Sequence, residues 1–152
     1  MATRPVRSVL DRVEDALDRL AQRHGIDMLR VALGVVFLWF GLLKVVGASP
    51  VGEVVARTLL VLPMRPAVIA LGVVETGIGL SLLTGRALRP ALAVFLVQMC
   101  GTFLALVLAP DLTFQHGNPL LLSTLGEFVI KNLVLISAGI AIVGSLRRRD
   151  AE

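Results

Sequence analysis

The 152-residue sequence contains a single cysteine, Cys100. One thiol forms no internal disulfide and no CxxC redox pair. Structural zinc and iron–sulfur sites need several thiolates and are excluded with them. Histidine is as scarce. His24 and His116 both lie outside the long apolar runs, so no facing pair of histidines ligates a haem within a membrane. No Ser/His/Asp set, phosphate-binding glycine loop or cluster of metal ligands is present, and there is no internal repeat or low-complexity tract. A cleavable signal peptide is not expected. The first apolar run begins near Ile26, after a long charged segment, and is as long as a full span, too long for a signal h-region.

What is abundant is apolar. Hydrophobic residues make up 56% of the chain, and the mean hydropathy is +0.85. A soluble domain of this size has too small a core to hide that much apolar surface, whereas a bilayer solvates the excess. The net charge is +4. The arginines sit mainly at segment ends and in the N-terminal region, where anionic headgroups and the positive-inside rule account for them. A lipid bilayer is therefore the expected partner, and nucleic acid is not.

Four apolar runs follow one another: Met28–Gly47, Pro66–Thr84, Ala91–Ala109 and Leu125–Ser145. Each is close to the roughly 20 residues that carry a helix across about 30 Å of hydrocarbon. Backbone groups in lipid must be satisfied within the segment, and the alternating polarity of a barrel is missing. The expected fold is all-α, a bundle of four transmembrane helices over residues 28–145. Residues 1–27 read as a cytoplasmic amphipathic helix, with Val6, Val9/Leu10, Val13, Ala16/Leu17 and Leu20 at helical spacing. It would lie on the membrane surface, rest against the bundle or dock a cytosolic partner. Residues 146–152 form a basic cytoplasmic tail.

The arginines orient the chain. Arg4, Arg7, Arg12, Arg19, Arg23, Arg30, Arg86, Arg89, Arg147, Arg148 and Arg149 fall on one side, against Arg57 and Arg65 on the other. By the positive-inside rule both termini are cytoplasmic. The 48–65 loop is partly apolar, from Thr58 to Leu62, and is expected at the interface. The 110–124 loop suits a turn.

Polar residues inside the spans carry most of the information: Lys44, Glu75, Gln98, Glu127, Lys131 and Asn132. A charge near a helix centre costs about 2.5–3.5 kcal/mol on the insertion scale. Two lysines and two glutamates sum to zero, which points to mutual pairing. Each helix carries a polar residue on a stripe rich in small residues, with Phe37 and Val68 the larger members: Gly34, Phe37, Gly41, Lys44 and Ala48; Val68, Gly72, Glu75 and Gly79; Gln98, Gly101 and Ala105; Thr124, Glu127, Lys131, Ala138 and Ser145. Such stripes let membrane helices approach closely. A polar cluster is expected in the outer half of the bundle, roofed by the 110–124 loop with Phe114 and His116 as outer contributors. Glu127 and Lys131 should pair directly at i,i+4, and Lys44 should meet Glu75 or Glu127. Trp39 and Phe40 read as packing residues, and Cys100 as an inert buried thiol.

Three of these stretches carry a resemblance. Val36-Phe-Leu-Trp-Phe-Gly-Leu-Leu-Lys44 resembles the first-helix signature of DoxX-like membrane proteins. Leu71-Gly-Val-Val-Glu75-Thr-Gly is similar to their second-helix glutamate motif, and Gly126-Glu-Phe-Val-Ile-Lys131-Asn to their fourth-helix motif. The resemblance implies a four-helix membrane bundle in a family of loosely defined function. Some of its members are subunits of thiosulfate:quinone oxidoreductase or associate with oxidative-stress and sulfur-metabolism enzymes. Carried over, Lys44, Glu75 and Lys131 become the residues to test.

The combined expectation is an accessory or anchoring subunit for a membrane-associated redox, sulfur-metabolism or oxidative-stress system. It would not be catalytic alone, and it would offer a quinone or small-molecule pocket near the buried charges. Any electrons or cofactor would come from a partner enzyme. A small transporter or permeability factor using the buried charges is the alternative, and so is a purely structural protein. A homo-oligomer stays open, because small-residue stripes serve packing within and between chains equally well.

Overall fold

The computed structural model describes residues 9–49 and 64–149. The expectations for Arg4, Arg7, Arg57, the apolar stretch Thr58–Leu62 and the last three residues lie outside the described residues. The elements are α1 (Val9–Val45), α2 (Met64–Thr84), α3 (Leu88–Leu108), a single helical turn α4 (Pro110–Thr113), strands β1 (Phe114–Gln115) and β2 (Asn118–Leu122), and α5 (Thr124–Arg149). Each of the four long helices holds an apolar stretch long enough to cross a membrane. The protein is an all-α four-helix bundle, as its hydropathy pattern predicts.

The bundle closes as a ring. α1 packs most extensively on α2, α2 also meets α3, α3 meets α5, and α5 returns to α1. α1 and α2 run antiparallel, Gly41 lying against Gly72 and Gly34 against Gly79. The core sits between them: Leu33 and Phe37 of α1, Ile78 and Leu82 of α2, Leu92, Phe95 and Met99 of α3, and Ile142 of α5. Phe37 and Phe95 stack edge to face, 5.0 Å between centroids, a favoured aromatic geometry. Gly139 of α5 makes room for the Phe95 ring, since a Cβ there would collide with it. Apolar residues on the outer faces, Val97, Val107 and Val134 among them, are exposed, which lipid tolerates and water would not. Trp39, expected as a packing residue, points outward at 64% exposure, whereas Phe40 stacks on Phe128 of α5.

α1 runs unbroken for 37 residues, about 55 Å at 1.5 Å per residue. The amphipathic segment and the first span are therefore one helix. A helix lying flat on the membrane surface would need a break near residue 27, and α1 is continuous there. The physical reason is local. No proline interrupts the stretch, and the change from polar to apolar side chains alters the solvent outside the helix, not its hydrogen bonds. α1 ends at a Schellman motif. Gly47 takes the left-handed conformation (φ +78), its N–H donates to Lys44 O, and the Ala48 N–H donates to Leu43 O.

The 110–124 segment is more structured than a turn. Pro110 opens α4, and β1 and β2 form a small antiparallel hairpin. His116 and Gly117, both with positive φ, make its two-residue loop. Ser123 then caps α5: its hydroxyl accepts the Gly126 N–H at 3.1 Å.

Candidate functional site

Four glycines bring α1 and α2 together. Gly34 and Gly41 on α1 face Gly79 and Gly72 on α2. A Cβ at Gly41 would lie 2.5 Å from the backbone nitrogen of Thr76, and one at Gly72 would lie 2.8 Å from Gly41 O. A Cβ at Gly79 would fall on the Leu38 backbone. With no side chains between them the backbones approach closely, and the long side chain of Lys44 reaches across onto α2.

There it finds its partner. Lys44 Nζ lies 2.6 Å from Glu75 Oε2. Both residues are buried, at 8% and 7% exposure. Gln98 of α3 completes the node: its Nε2 donates to Glu75 Oε1 at 2.7 Å. The orientation of the amide follows from the carboxylate, which only accepts hydrogen bonds, so the NH2 group must face it. That turns Gln98 Oε1 away, and among the described residues it is buried without a hydrogen-bond partner. Glu75 and Gln98 both fall near the middle of 21-residue helices, so the node sits deep in the apolar layer. A lone charge there would be expelled or neutralised. Paired and hydrogen-bonded, the two charges compensate each other.

The sequence-based cluster is thus brought together in part. Lys44, Glu75 and Gln98 converge. Asn132 is buried on the inner face of α5 at 5% exposure. Glu127 and Lys131 do pair, at 3.4 Å, but on the outside of the bundle, with side chains 56% and 72% exposed. Their expected inward position is corrected by the phase of α5. Its inner stripe climbs in steps of three through Gly126, Val129, Asn132, Leu135 and Ala138, so it winds around the helix. The stripe through Thr124, Glu127, Lys131 and Ala138 follows a different line, exposed at its first three residues and buried only at Ala138. Phe114 is half-buried in β1, and His116 is exposed at the hairpin tip. Cys100, expected to be buried, is exposed on α3.

Arg30, which in the sequence serves only to orient the chain, is a further polar residue between α1 and α2. Its Nη1 donates to Leu82 O and, at 3.5 Å, to Leu83 O, and its Nε lies 3.7 Å from Asp27. A cation on the last carbonyls of α2 satisfies groups that have no partner inside the helix. The signal available was an arginine placed inside an apolar run.

A family model, DoxX, matches residues 25–108, more than half of the chain. The protein belongs to the DoxX family. The match spans the membrane part of α1 together with α2 and α3, so it includes Lys44, Glu75 and Gln98 and stops short of Glu127, Lys131 and Asn132 on α5. No curated protein and no solved structure matches this DoxX-family chain. Its four apolar helices and its family together make it a multi-pass membrane protein.

Proposed function

We propose that this DoxX-family protein is an accessory membrane subunit that anchors or supports a redox, sulfur-metabolism or oxidative-stress enzyme. In this reading Lys44, Glu75 and Gln98 receive a small polar or quinone-like molecule. The supporting observation is Gln98 Oε1, an acceptor left without a partner beside a buried charge pair. Buried polar atoms are nearly always satisfied, so an exception calls for an explanation, and a received molecule is one. The oxygen suits a hydroxyl donor such as that of a quinol, while the remaining N–H groups of Lys44 suit a carbonyl such as that of a quinone. A quinone would supply electron carriage, and the side chains would supply hydrogen bonds and charge. The orientation that goes with this reading puts both termini in the cytoplasm, on the side of Arg86, Arg89, Arg147 and Arg148.

Native mass spectrometry of the protein extracted from its own membrane in mild detergent tests the proposal. A bound redox enzyme or quinone, lost in Gln98→Leu, is the expected result. Repeated recovery of the bare chain overturns it.

A second reading has its own support, the direct 2.6 Å contact of Lys44 and Glu75. Two charges that satisfy each other can serve simply to lock α1 on α2. The double variant Lys44→Met/Glu75→Leu would then fold and leave the cell unchanged, and loss of function in a stably folded double variant rules the reading out.

A further inference from the structure

A groove of about 330 Å³ opens on the outer surface between α3 and α5, away from the Lys44–Glu75 node. Arg89, Ala93 and Leu96 of α3 form one wall, and Val143, Leu146 and Arg147 of α5 form the other. The polarity of the groove is ordered along the helix axes. Arg89 is the second residue of α3 and Arg147 stands in the last turn of α5, so both guanidiniums mark the bundle end. From there Ala93 and Leu96 descend α3, and Leu146 and Val143 descend α5. At 1.5 Å per residue the apolar walls reach about 10 Å into the hydrocarbon.

The arrangement is cationic at the membrane–water boundary and apolar below it. That is the profile of a lipid molecule standing along the membrane normal. We infer that this groove binds one anionic glycerophospholipid, its headgroup phosphate between Arg89 and Arg147 and an acyl chain over Ala93.

Three features support a lipid as the occupant. Two arginines from different helices line one concavity, Arg89 with a further interaction of its own, and the guanidinium fork with its five N–H donors matches phosphate oxygens. α3 begins without a side-chain cap at Ala87, so backbone N–H groups of its first turn and the positive end of its dipole add to the field at the same level. The walls below face the bilayer, where a soluble anion would leave them uncovered and an acyl chain covers them. Basic recesses between membrane helices hold anionic headgroups for these reasons. The inference does not depend on the accessory-subunit reading, since no residue of the node takes part.

The test is reconstitution of the full chain in vesicles of phosphatidylglycerol and phosphatidylcholine, followed by gentle extraction and native mass spectrometry of retained lipid. The wild-type protein should keep phosphatidylglycerol over phosphatidylcholine about tenfold or more, as two arginines near a headgroup imply. Arg147→Gln alone should reduce that preference, and Arg89→Gln/Arg147→Gln should abolish it with the helical circular dichroism intact. Ala93→Phe fills the groove while leaving both arginines, and it should lower retention of both lipids. Equal retention of the two lipids by the wild type overturns the proposal. So does an unchanged preference in a folded Arg147→Gln together with unchanged retention in Ala93→Phe.

Discussion

Lys44 Nζ and Glu75 Oε2 stand 2.6 Å apart across a helix interface built from glycine. The pair closes because Gly41 and Gly72 let the two backbones approach, and the seam stays polar in its middle because the pair is there. Neither part works alone. A lysine in the last turn of α1 reaches the middle of α2 only if nothing stands between them.

Breaking one side of the pair should therefore cost far more than removing both. Lys44→Met leaves Glu75 buried with a single hydrogen bond from Gln98, and Glu75→Leu leaves Lys44 without its counter-ion. Each single variant should lose about 3–5 kcal/mol, whereas Lys44→Met/Glu75→Leu should recover most of that loss. Unfolding in mixed micelles with increasing SDS measures all three. Additive losses would show that the charges do not depend on each other.

The glycines differ among themselves in a way that alanine substitution reveals. Gly79→Ala sets a methyl group against the Leu38 backbone, and Gly41→Ala sets one against Thr76. Backbone cannot step aside, so each should cost about 1–3 kcal/mol. Gly77, in the same helix, has nothing within 4 Å of its Cβ position. Gly77→Ala should be neutral or stabilising by up to about 1 kcal/mol. Thermal melting in detergent separates the two classes, and equal effects would remove the close α1–α2 approach.

Glu127 and Lys131 form a contrasting pair. Both side chains are more than half exposed, so Glu127→Gln/Lys131→Gln should change the stability of the isolated protein by no more than about 0.5 kcal/mol. The same melting assay decides this. A loss comparable to that of Lys44→Met would place the two residues inside the bundle after all.

The proposed orientation is open to labelling. In a Cys100→Ser background, Leu120→Cys places a thiol on the hairpin and Thr84→Cys places one at the opposite end of the bundle. A membrane-impermeant maleimide added to intact cells should modify Leu120→Cys at once and Thr84→Cys only after lysis. The reverse order would invert the topology and move Arg86, Arg89 and Arg147 to the outer face.

Much of this architecture could be read before the structure. Four spans follow from four apolar runs, because lipid imposes its thickness on every segment that crosses it. The Lys44–Glu75 contact was one of two pairings that charge balance allowed, and Glu75 sits on the same glycine stripe as Gly72 and Gly79. The phase of α5 was harder. Its small and polar residues permit several stripes, and the one that forms depends on how Phe95 seats against Gly139, a contact that no periodicity within α5 contains. The hairpin was hidden by its size, since two residues of β1 and five of β2 give too little alternation to register. The continuity of α1 was obscured by its change of character near Ile26, which marks a change of surroundings rather than the end of an element.

That continuity ties two distant places to each other. Among the 37 residues of α1 there is no proline and no capping motif until Gly47, so the helix has no joint about which one half could turn alone. It behaves as an axle. A twist applied to the charged portion around Val9–Leu20 would be delivered to Lys44, about 36–52 Å away at 1.5 Å per residue, where the ammonium group grips Glu75. A shift at the buried pair is delivered outward along the same shaft.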